Sequence, residues 1–535
     1  MQKGGTGKIM FANVNCAGLL GIEGYPVEVE AYATNGLPGF SLFGDLSSET
    51  KEAQYRVWNA LKSCGYNPEP QKITMNLSPS DIRKEGTFYD LPVAVAVLGA
   101  LSVIDTEKLR HMAFFGELGL DGEIKPVKGI LPLCFCMRNF GIDSVLVPKE
   151  NVKEASLVTG ITVLGCRTLS EVINIALGSK DEIERCIYKN DGGNESGKKE
   201  HKYDVDFSDV RGQDYLKRAA VIAVCGRHNI LFSGPAGTGK TMIARRMPTI
   251  MPDLTRDEDI EISKIYSICG LLNEGRPLLS ERPFRAPHQG ISQAAFAGGG
   301  QNVLPGEMSL ASSGILFLDE LPLFPRSVLE TMRQPMEERK ITVTRVRGSF
   351  TYPADFQLVS AMNNCACGFW PDRNRCTCSP AQIKAYNGRL SRPLMERIDI
   401  CAEARPVSFD EFVDPDPKST RETSAEIKAR VKKVHLIQEE RFRDDKNILF
   451  NSGMGVREIE KYCALGKAEE AYIKEIYARR GLSGRTYHKV LKVARTIADM
   501  AGCMNIEREH IAEAVELRSI EDKLFSKNEG AYHVI

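Results

Sequence analysis

The chain has 535 residues, enough for three or four domains at roughly 150 residues each. Its 70 basic and 70 acidic side chains cancel, which excludes a polycation that attracts nucleic acid by overall charge and leaves any such contact to local patches. No apolar run approaches the ~20 uncharged residues of a membrane span, and the opening "MQKGGTGKIMF" lacks the apolar core of a signal peptide. A soluble, cytoplasmic chain without membrane contact is expected.

Residues 9–178 alternate short strands and helices ("YPVEVEAYAT", "KITMNLSP", "LPVAVAVLGAL", "SVLVPKE") and predict a compact α/β domain. The "GGTGK" before them imitates a phosphate loop, but its first glycine is misplaced and no strand precedes it. Residues 179–204 are charged, glycine-bearing and poor in apolar side chains, the composition of a linker. From 205 to 410, apolar strand-like runs are followed by helical patterns, as a parallel sheet requires. The segment 420–525 reads as helical. In "SGRTYHKVLKVARTIADM", Val490, Val493, Ala494 and Ile497 share one face, with Arg485, Lys489 and Lys492 expected opposite. Most of the fifteen cysteines sit singly in apolar segments (Cys16, Cys134, Cys225, Cys401), as reduced cytosolic thiols do.

The sharpest chemical signal is "LFSGPAGTGKT" at 231–241, which fits G-x-x-x-x-G-K-[ST] between a strand and a helix. Backbone amides of Gly234, Pro235, Ala236, Gly237, Thr238 and Gly239 frame a phosphate cradle, with the exception of the proline, which has no N–H. The helix start adds its dipole. Lys240 is expected to reach the β/γ-phosphates of ATP, and the Thr241 hydroxyl to bind Mg²⁺. Some 80 residues on, "SGILFLDE" is a buried-type strand ending in Asp319, suited to Mg²⁺ through water, and Glu320, suited to polarising the attacking water. A further strand, "FQLVSAM", ends at Asn363, an amide able to sense the γ-phosphate. "LSRPLMERIDI" sets Arg392 and Arg397 about a short helix, either as surface residues or as a finger for a neighbouring subunit.

Between strand and finger lies "NNCACGFWPDRNRCTCSP", within an insert at 363–380. Cys365, Cys367, Cys376 and Cys378 form two C-x-C arms across an eight-residue loop. They complete a tetrahedral Zn²⁺ site or remain an unmetallated, redox-sensitive loop, and metal is the favoured reading. Trp370, Arg373 and Arg375 in the same loop suit base stacking or packing on another subunit. Upstream, "KITVTRVRGSFTYPADF" alternates as a hairpin with Arg345, Arg347 and Gly348 near its turn, a candidate DNA contact.

Together these motifs resemble the AAA+ ATPases. "FRAPHQGISQAAFAGGG", "PGEMSLASSGILFLDELPLFPRSVLETMRQPMEE" and "SGRTYHKVLKVARTIADM" resemble the magnesium-chelatase-like branch, and more closely the bacterial YifB/ComM family. "GIEGYPVEVEAYATNGLPGFSLFGDL" and "NLSPSDIRKEGTFYDLPVAVAVLGAL" extend the resemblance over residues 9–520. It implies a Lon-protease-like (ribosomal S5 domain 2-like) amino-terminal domain, an AAA+ parallel αβα sandwich and a carboxy-terminal helical lid like the chelatase's. It further implies Asn363 as sensor, Arg397 as finger, Arg485 as second sensor, and "FRAPH" and "AFAGGG" in an insert within the second ATPase helix, facing the pore of a homo-hexamer. The expected activity is a helicase promoting branch migration on single-stranded or branched DNA.

Two other activities compete with this one, an ATP-dependent protease or unfoldase and a magnesium-chelatase-like metal-insertion or protein-remodelling ATPase without protease activity. A Lon-type Ser–Lys dyad needs a nucleophile and a base in reach. Here "KEGTFYDLP" has no serine, and the expected lysine position aligns to Leu131, although Lys125 and Lys128 are near. Metal insertion, the chelatase's own task, lacks the D-x-S-x-S motif of its partner subunits.

Overall fold

The structure is a computed structural model and describes residues 10–37, 39–67, 71–189, 203–272, 281–300, 303–345, 348–405, 422–445 and 448–519. The chain forms two compact units, one from residues 1–199 with 256–279 and the other from 200–255 with 280–535.

The first unit is built on β1 (Met10–Leu20), β2 (Glu23–Asn35), β3 (Gly39–Phe43), β4 (Gln71–Ser78) and β5 (Met112–Phe114). The short pair β6 (Glu117–Leu118) and β7 (Ile124–Lys125) follows, then β8 (Ser144–Pro148) and β9 (Thr162–Cys166). The main sheet runs β3-β4-β2-β1-β5-β8-β9, antiparallel across β4-β2-β1 and parallel elsewhere. Alternation drives this pairing: Val27, Val29, Ala31 and Ala33 of β2 point inward beside Ile73, Met75 and Leu77 of β4. The helix Asp90–Ala100 is buried on nearly every face. Its one charge, Asp90, accepts two hydrogen bonds from Arg56 (2.6 and 2.9 Å) and one from the Leu118 N–H (3.1 Å), the pairing a buried carboxylate requires.

In the stretch "KEGTFYDLP", where the resemblance to Lon-type enzymes implies a serine, Phe88 and Tyr89 are buried. Leu131 is fully buried at the start of the helix Ile130–Asn139, its N–H donating to Glu154 at 3.1 Å. Residues 256–279 also join this unit, although they lie inside the segment read as one sheet domain. The helix Arg256–Cys269 packs on Ile130–Asn139, buries Ile262, Ile265 and Ile268, and accepts the Gly129 N–H at the Ser267 carbonyl (3.1 Å).

The second unit contains β10 (Ile230–Ser233), β11 (Phe284–Arg285), β12 (Gly298–Gly299), β13 (Leu304–Pro305) and β14 (Ile315–Leu318). β15 (Lys340–Arg345), β16 (Gly348–Pro353), β17 (Gln357–Met362) and β18 (Ile400–Glu403) complete it. A fully parallel sheet runs β11-β14-β17-β10-β18. β10, β14 and β17 are buried along their whole length, as strands covered on both faces are. β15 and β16 form the expected hairpin, with Arg345 opposite Gly348 as its last pair before residues 346–347. One expectation is corrected here. Phe284 and Arg285 of "FRAPH" do not lie within an insert of a helix but form the edge strand of the main sheet, pairing with β14, where Phe284 stacks on Phe317 (5.7 Å) and Arg285 pairs with Glu307 (2.6 Å).

The helices Ser424–Arg441, Val456–Tyr462, Lys467–Arg480, Gly484–Ala501 and Arg508–Glu516 follow. Val490, Val493, Ala494 and Ile497 are buried, as their spacing predicts. Lys489 and Lys492 are not on a solvated face: Lys489 Nζ donates to Asp399 and to the Arg397 carbonyl (2.8 Å), and Lys492 Nζ to the Ser452 carbonyl (3.0 Å). Among the described residues, no helix is long and apolar enough to cross a membrane.

His435, on the helix Ser424–Arg441, lies with Nε2 3.2 Å from the Val224 carbonyl oxygen and its ring against Phe450. Burial pushes its pKa down from 6.5 to about 4. The folded chain keeps this ring neutral while the unfolded chain protonates it, so the stability it preserves is complete above pH 6.5 and is lost as pH falls toward 4. The loss amounts to about 3 kcal/mol. His435→Gln is expected to flatten the acid limb of urea-unfolding stability between pH 7 and 4, and an unchanged slope would refute the assignment.

Candidate nucleotide site and the cysteine cluster beside it

In a parallel sheet, ligands bind beyond the carboxyl ends of the strands, and three of the sequence signals meet there. β10 leads into the loop 234–239, which opens the helix Lys240–Ile250 with Gly239 as its N-cap. Gly234 has φ +148°, and a Cβ there would lie 2.7 Å from Ala404 Cβ, so only glycine lets the loop leave the strand beside β18. Lys240 Nζ donates to the carbonyls of Gly234 (2.9 Å) and Pro235 (2.6 Å) and to Asn363 Oδ1 (3.3 Å). Burial lowers its pKa to about 8, against the opposing charge of Asp319.

β14 delivers the acids. Asp319 Oδ2 accepts the Thr241 hydroxyl at 2.9 Å, while Oδ1 accepts the Glu320 N–H at 3.0 Å. Glu320 is exposed and holds φ +52°, a backbone costly for a residue with a Cβ and one often kept at functional sites. β17 delivers Asn363 and then Asn364, whose Oδ1 accepts the Ser233 hydroxyl at 2.6 Å. The structure thus brings Lys240, Thr241, Asp319, Glu320 and Asn363 to one crevice. Its donors fit a polyphosphate: a desolvated ammonium beside a helix N-terminus is stabilised by added negative charge, and Thr241 with Asp319 offers oxygen ligands to Mg²⁺.

The arginines have partners elsewhere. Arg397 pairs with Glu337 (2.8 Å) and donates to the carbonyls of Arg333 (3.1 Å) and Pro393 (2.8 Å). It lines a cleft of about 760 Å³ with Arg333, Glu337, Gln293 and Arg345. Arg345 is exposed and rests against Gly299 of the "AFAGGG" segment. Arg347 lies outside the described residues. Arg485 is largely exposed and reaches Glu396 at 3.5 Å.

The four insert cysteines converge. Cys365 Sγ lies 3.3 Å from Cys367 and 3.8 Å from Cys376, Cys367 lies 3.6 Å from Cys376, and all four sulfurs, Cys378 included, are within 4.8 Å of one another. The Phe369 N–H holds the Cys367 thiol well below its ordinary value, down to about 6. Arg373 stacks on Trp370 (4.0 Å) and Arg375 on Phe369 (4.2 Å), so both cations cover rings of their own loop.

Family models described as "Magnesium chelatase, subunit ChlI", "Subunit ChlI of Mg-chelatase" and "Magnesium chelatase, subunit ChlI C-terminal" match residues 206–412, 29–151 and 421–518. The competence protein ComM of Haemophilus influenzae is 38% identical over 503 residues, spanning 94% of this chain and 96% of that protein. The chain belongs to the YifB/ComM family of magnesium-chelatase-like AAA+ ATPases. The uncharacterized protein YifB of Escherichia coli is 37% identical over 512 residues, 95% of this chain and 97% of its own length. Lon protease 2 of Bacillus subtilis is 27% identical over 129 residues, 24% of this chain and 23% of that protein. The fold is accordingly a Lon-like α/β unit combined with an AAA+ parallel sheet, and family membership implies ATP and Mg²⁺.

Sequence reasoning missed the cluster around Asp399. Its carboxylate accepts Lys489 and the Asn229 N–H (2.9 Å), with His228 Nδ1 at 3.8 Å, and Arg518 donates to its carbonyl (2.9 Å). Burial raises its pKa, but the Lys489 charge and the His228 contact prevail and hold it well below the usual carboxylate range. The one signal available was "ERIDI", an acid directly before an apolar strand.

Lys240→Ala is expected to abolish nucleotide binding, read with a fluorescent ATP analogue. Glu320→Gln should bind it normally and lower phosphate release by roughly 100-fold or more. Wild-type turnover in Glu320→Gln would assign the water-polarising role to another group.

Proposed function

We propose that this protein is an ATP-driven, hexameric AAA+ DNA motor that promotes branch migration of recombination intermediates, on single-stranded or branched DNA, in natural transformation and recombination. The observation that carries the ATPase half is the pair of contacts at the start of the helix Lys240–Ile250, Lys240 with Asn363 and Thr241 with Asp319. In this reading Lys240 balances β/γ-phosphate charge, Thr241 and Asp319 hold Mg²⁺, Glu320 polarises water and Asn363 reports the γ-phosphate. Mg²⁺ supplies neutralisation of the developing phosphate charge. Arg397 serves a neighbouring subunit's site and Arg485 acts as second sensor on the lid, residues 420–525. The sheet domain at 205–410 is the motor, and residues 9–178 are a non-proteolytic scaffold joined through 179–204. The buried Phe88, Tyr89 and Leu131, in place of nucleophile and base, support that last assignment.

The DNA half is supported by likeness to a competence protein and by the hairpin β15–β16, whose last described pair holds the exposed Arg345, with Arg347 two residues on in the sequence. With no net positive charge on the chain, the grip on phosphates falls to such local cations. The cysteine cluster is read as holding one Zn²⁺.

Branched DNA is expected to stimulate ATP hydrolysis. The double variant Arg345→Ala/Arg347→Ala should keep basal turnover, lose most of the stimulation and strand movement, and show a flatter salt dependence of DNA binding. Stimulation and movement at the wild-type level in that variant would make the hairpin merely structural.

The finger is tested by complementation. Mixing Arg397→Ala subunits with Lys240→Ala subunits should restore part of the ATPase activity that each lacks alone. Freshly mixed rings without recovery would count against a finger acting in trans.

A further inference from the structure

The cysteine loop is in direct contact with the nucleotide loop. The Ala236 N–H, within the stretch 234–239, donates to the Gly368 carbonyl at 2.8 Å. Gly368 lies between Cys367 and Phe369 and has φ +82°, and a Cβ on it would stand 3.0 Å from Ala236 Cβ. That approach is available to glycine and to few other residues. The two residues preceding Cys365 hold the same region from the other side: Asn363 touches Lys240 (3.3 Å) and Asn364 touches Ser233 (2.6 Å). Three consecutive contacts therefore join the segment 363–368 to the segment 233–240.

The sulfurs are already close to a metal's requirements. Four thiolates about 2.3 Å from a tetrahedral zinc ion lie about 3.8 Å apart. The sulfur separations of 3.3, 3.6 and 3.8 Å approach that figure. Cys365 is fully buried, and the Trp370 N–H points to its sulfur at 3.4 Å, the backbone support a thiolate ligand needs. Cys376 and Cys378 stand eleven residues beyond Cys365 and Cys367, and a backbone turn leads between the arms: the Asp372 N–H donates to the Phe369 carbonyl (2.9 Å) and the Cys376 N–H to the Asp372 carbonyl (2.8 Å). An ion bonded to both arms adds four metal–sulfur bonds to that turn and fixes where Gly368 stands more firmly than four unligated thiols do.

We propose that the cysteine cluster is a regulatory metal site, in which a soft divalent ion bound by Cys365, Cys367, Cys376 and Cys378 clamps Gly368 onto Ala236 and thereby sets the affinity of the P-loop for nucleotide. This rests on the ATPase and zinc readings above. The ion takes no part in phosphoryl transfer. It acts by preorganising the loop, so its removal raises the Kd for nucleotide.

The test uses the full-length protein, with zinc content from elemental analysis and Kd from a fluorescent ATP analogue. Protein purified without chelator should carry about one zinc per chain. Stripping it with a thiol-compatible chelator should weaken nucleotide binding roughly tenfold, and adding Zn²⁺ back should restore it. Gly368→Ala should keep its zinc and yet weaken nucleotide to a similar degree, because it disturbs the contact and leaves the sulfurs alone. If the stripped chain unfolds by circular dichroism, Gly368→Ala decides the matter. Unchanged affinity in both the stripped protein and Gly368→Ala would overturn the coupling while leaving the metal site and the motor intact. A metal-free, folded protein with tight nucleotide binding would overturn both the metal site and the coupling. Failure to bind nucleotide in any state would overturn the ATPase reading itself.

Discussion

The parallel register of β10 between β17 and β18 is the constraint from which the rest of the candidate site follows. Ser233 stands level with Met362 on one side and Glu403 on the other. The next residues out of β10 and β17 are therefore the start of the P-loop and Asn363, at the same height and on adjacent strands. A slip of one residue would turn every side chain of β17 to the opposite face and carry Asn363 away from Lys240. The register is held by burial, since β10, β14 and β17 expose nothing that tolerates such a shift. Polar bonds then reinforce it at the strand ends: Ser360 donates to the Ile230 carbonyl at 3.1 Å, and Ser233 to Asn364.

The Asp399 cluster extends the same logic to the helical part. A buried carboxylate without partners would be intolerable, and this one collects a lysine from the helix Gly484–Ala501 and, from the two residues just before β10, a histidine and a backbone amide. Lys489 belongs to the helix Gly484–Ala501, and its ammonium also holds the carbonyl of Arg397. The helix bearing Arg485 is thereby tied to the backbone of the other arginine expected to act on nucleotide. Nearby, Asp499 of the same helix binds Arg441, Arg495 and Asn451, so both ends of the helix are fixed by charge.

The elements most readable in the sequence were those whose physics is local. The glycine spacing before Lys240, the buried run before Asp319 and Glu320, and the apolar stripe through Val490 and Ile497 each depend on neighbours a few residues away. Lys489 misled for the opposite reason. Helical spacing gives it a polar face, but its partner lies 90 residues earlier in the chain, where periodicity is silent. Phe284 and Arg285 misled in another way: a two-residue edge strand leaves no alternation to read, and its pairing with β14 is a property of the sheet. The helix Arg256–Cys269 belongs with the first unit through Ser267 and Glu154, a bond across 113 residues. The four cysteines were visible as a set, but their contact with Ala236 required knowing that β17 lies beside β10.

Arg397 already has a counter-ion in its own chain. With Glu337 at 2.8 Å and two carbonyls around it, the guanidinium is neither exposed nor short of partners. Under the motor reading, joining a ring is then an exchange reaction: one carboxylate is released as a phosphate on the neighbour is engaged. The electrostatic gain from the swap is small, because a bond broken nearly equals the bond made. What tips it is the greater charge of a triphosphate over a carboxylate. On that reading, a subunit joins its neighbours firmly only when they hold fuel.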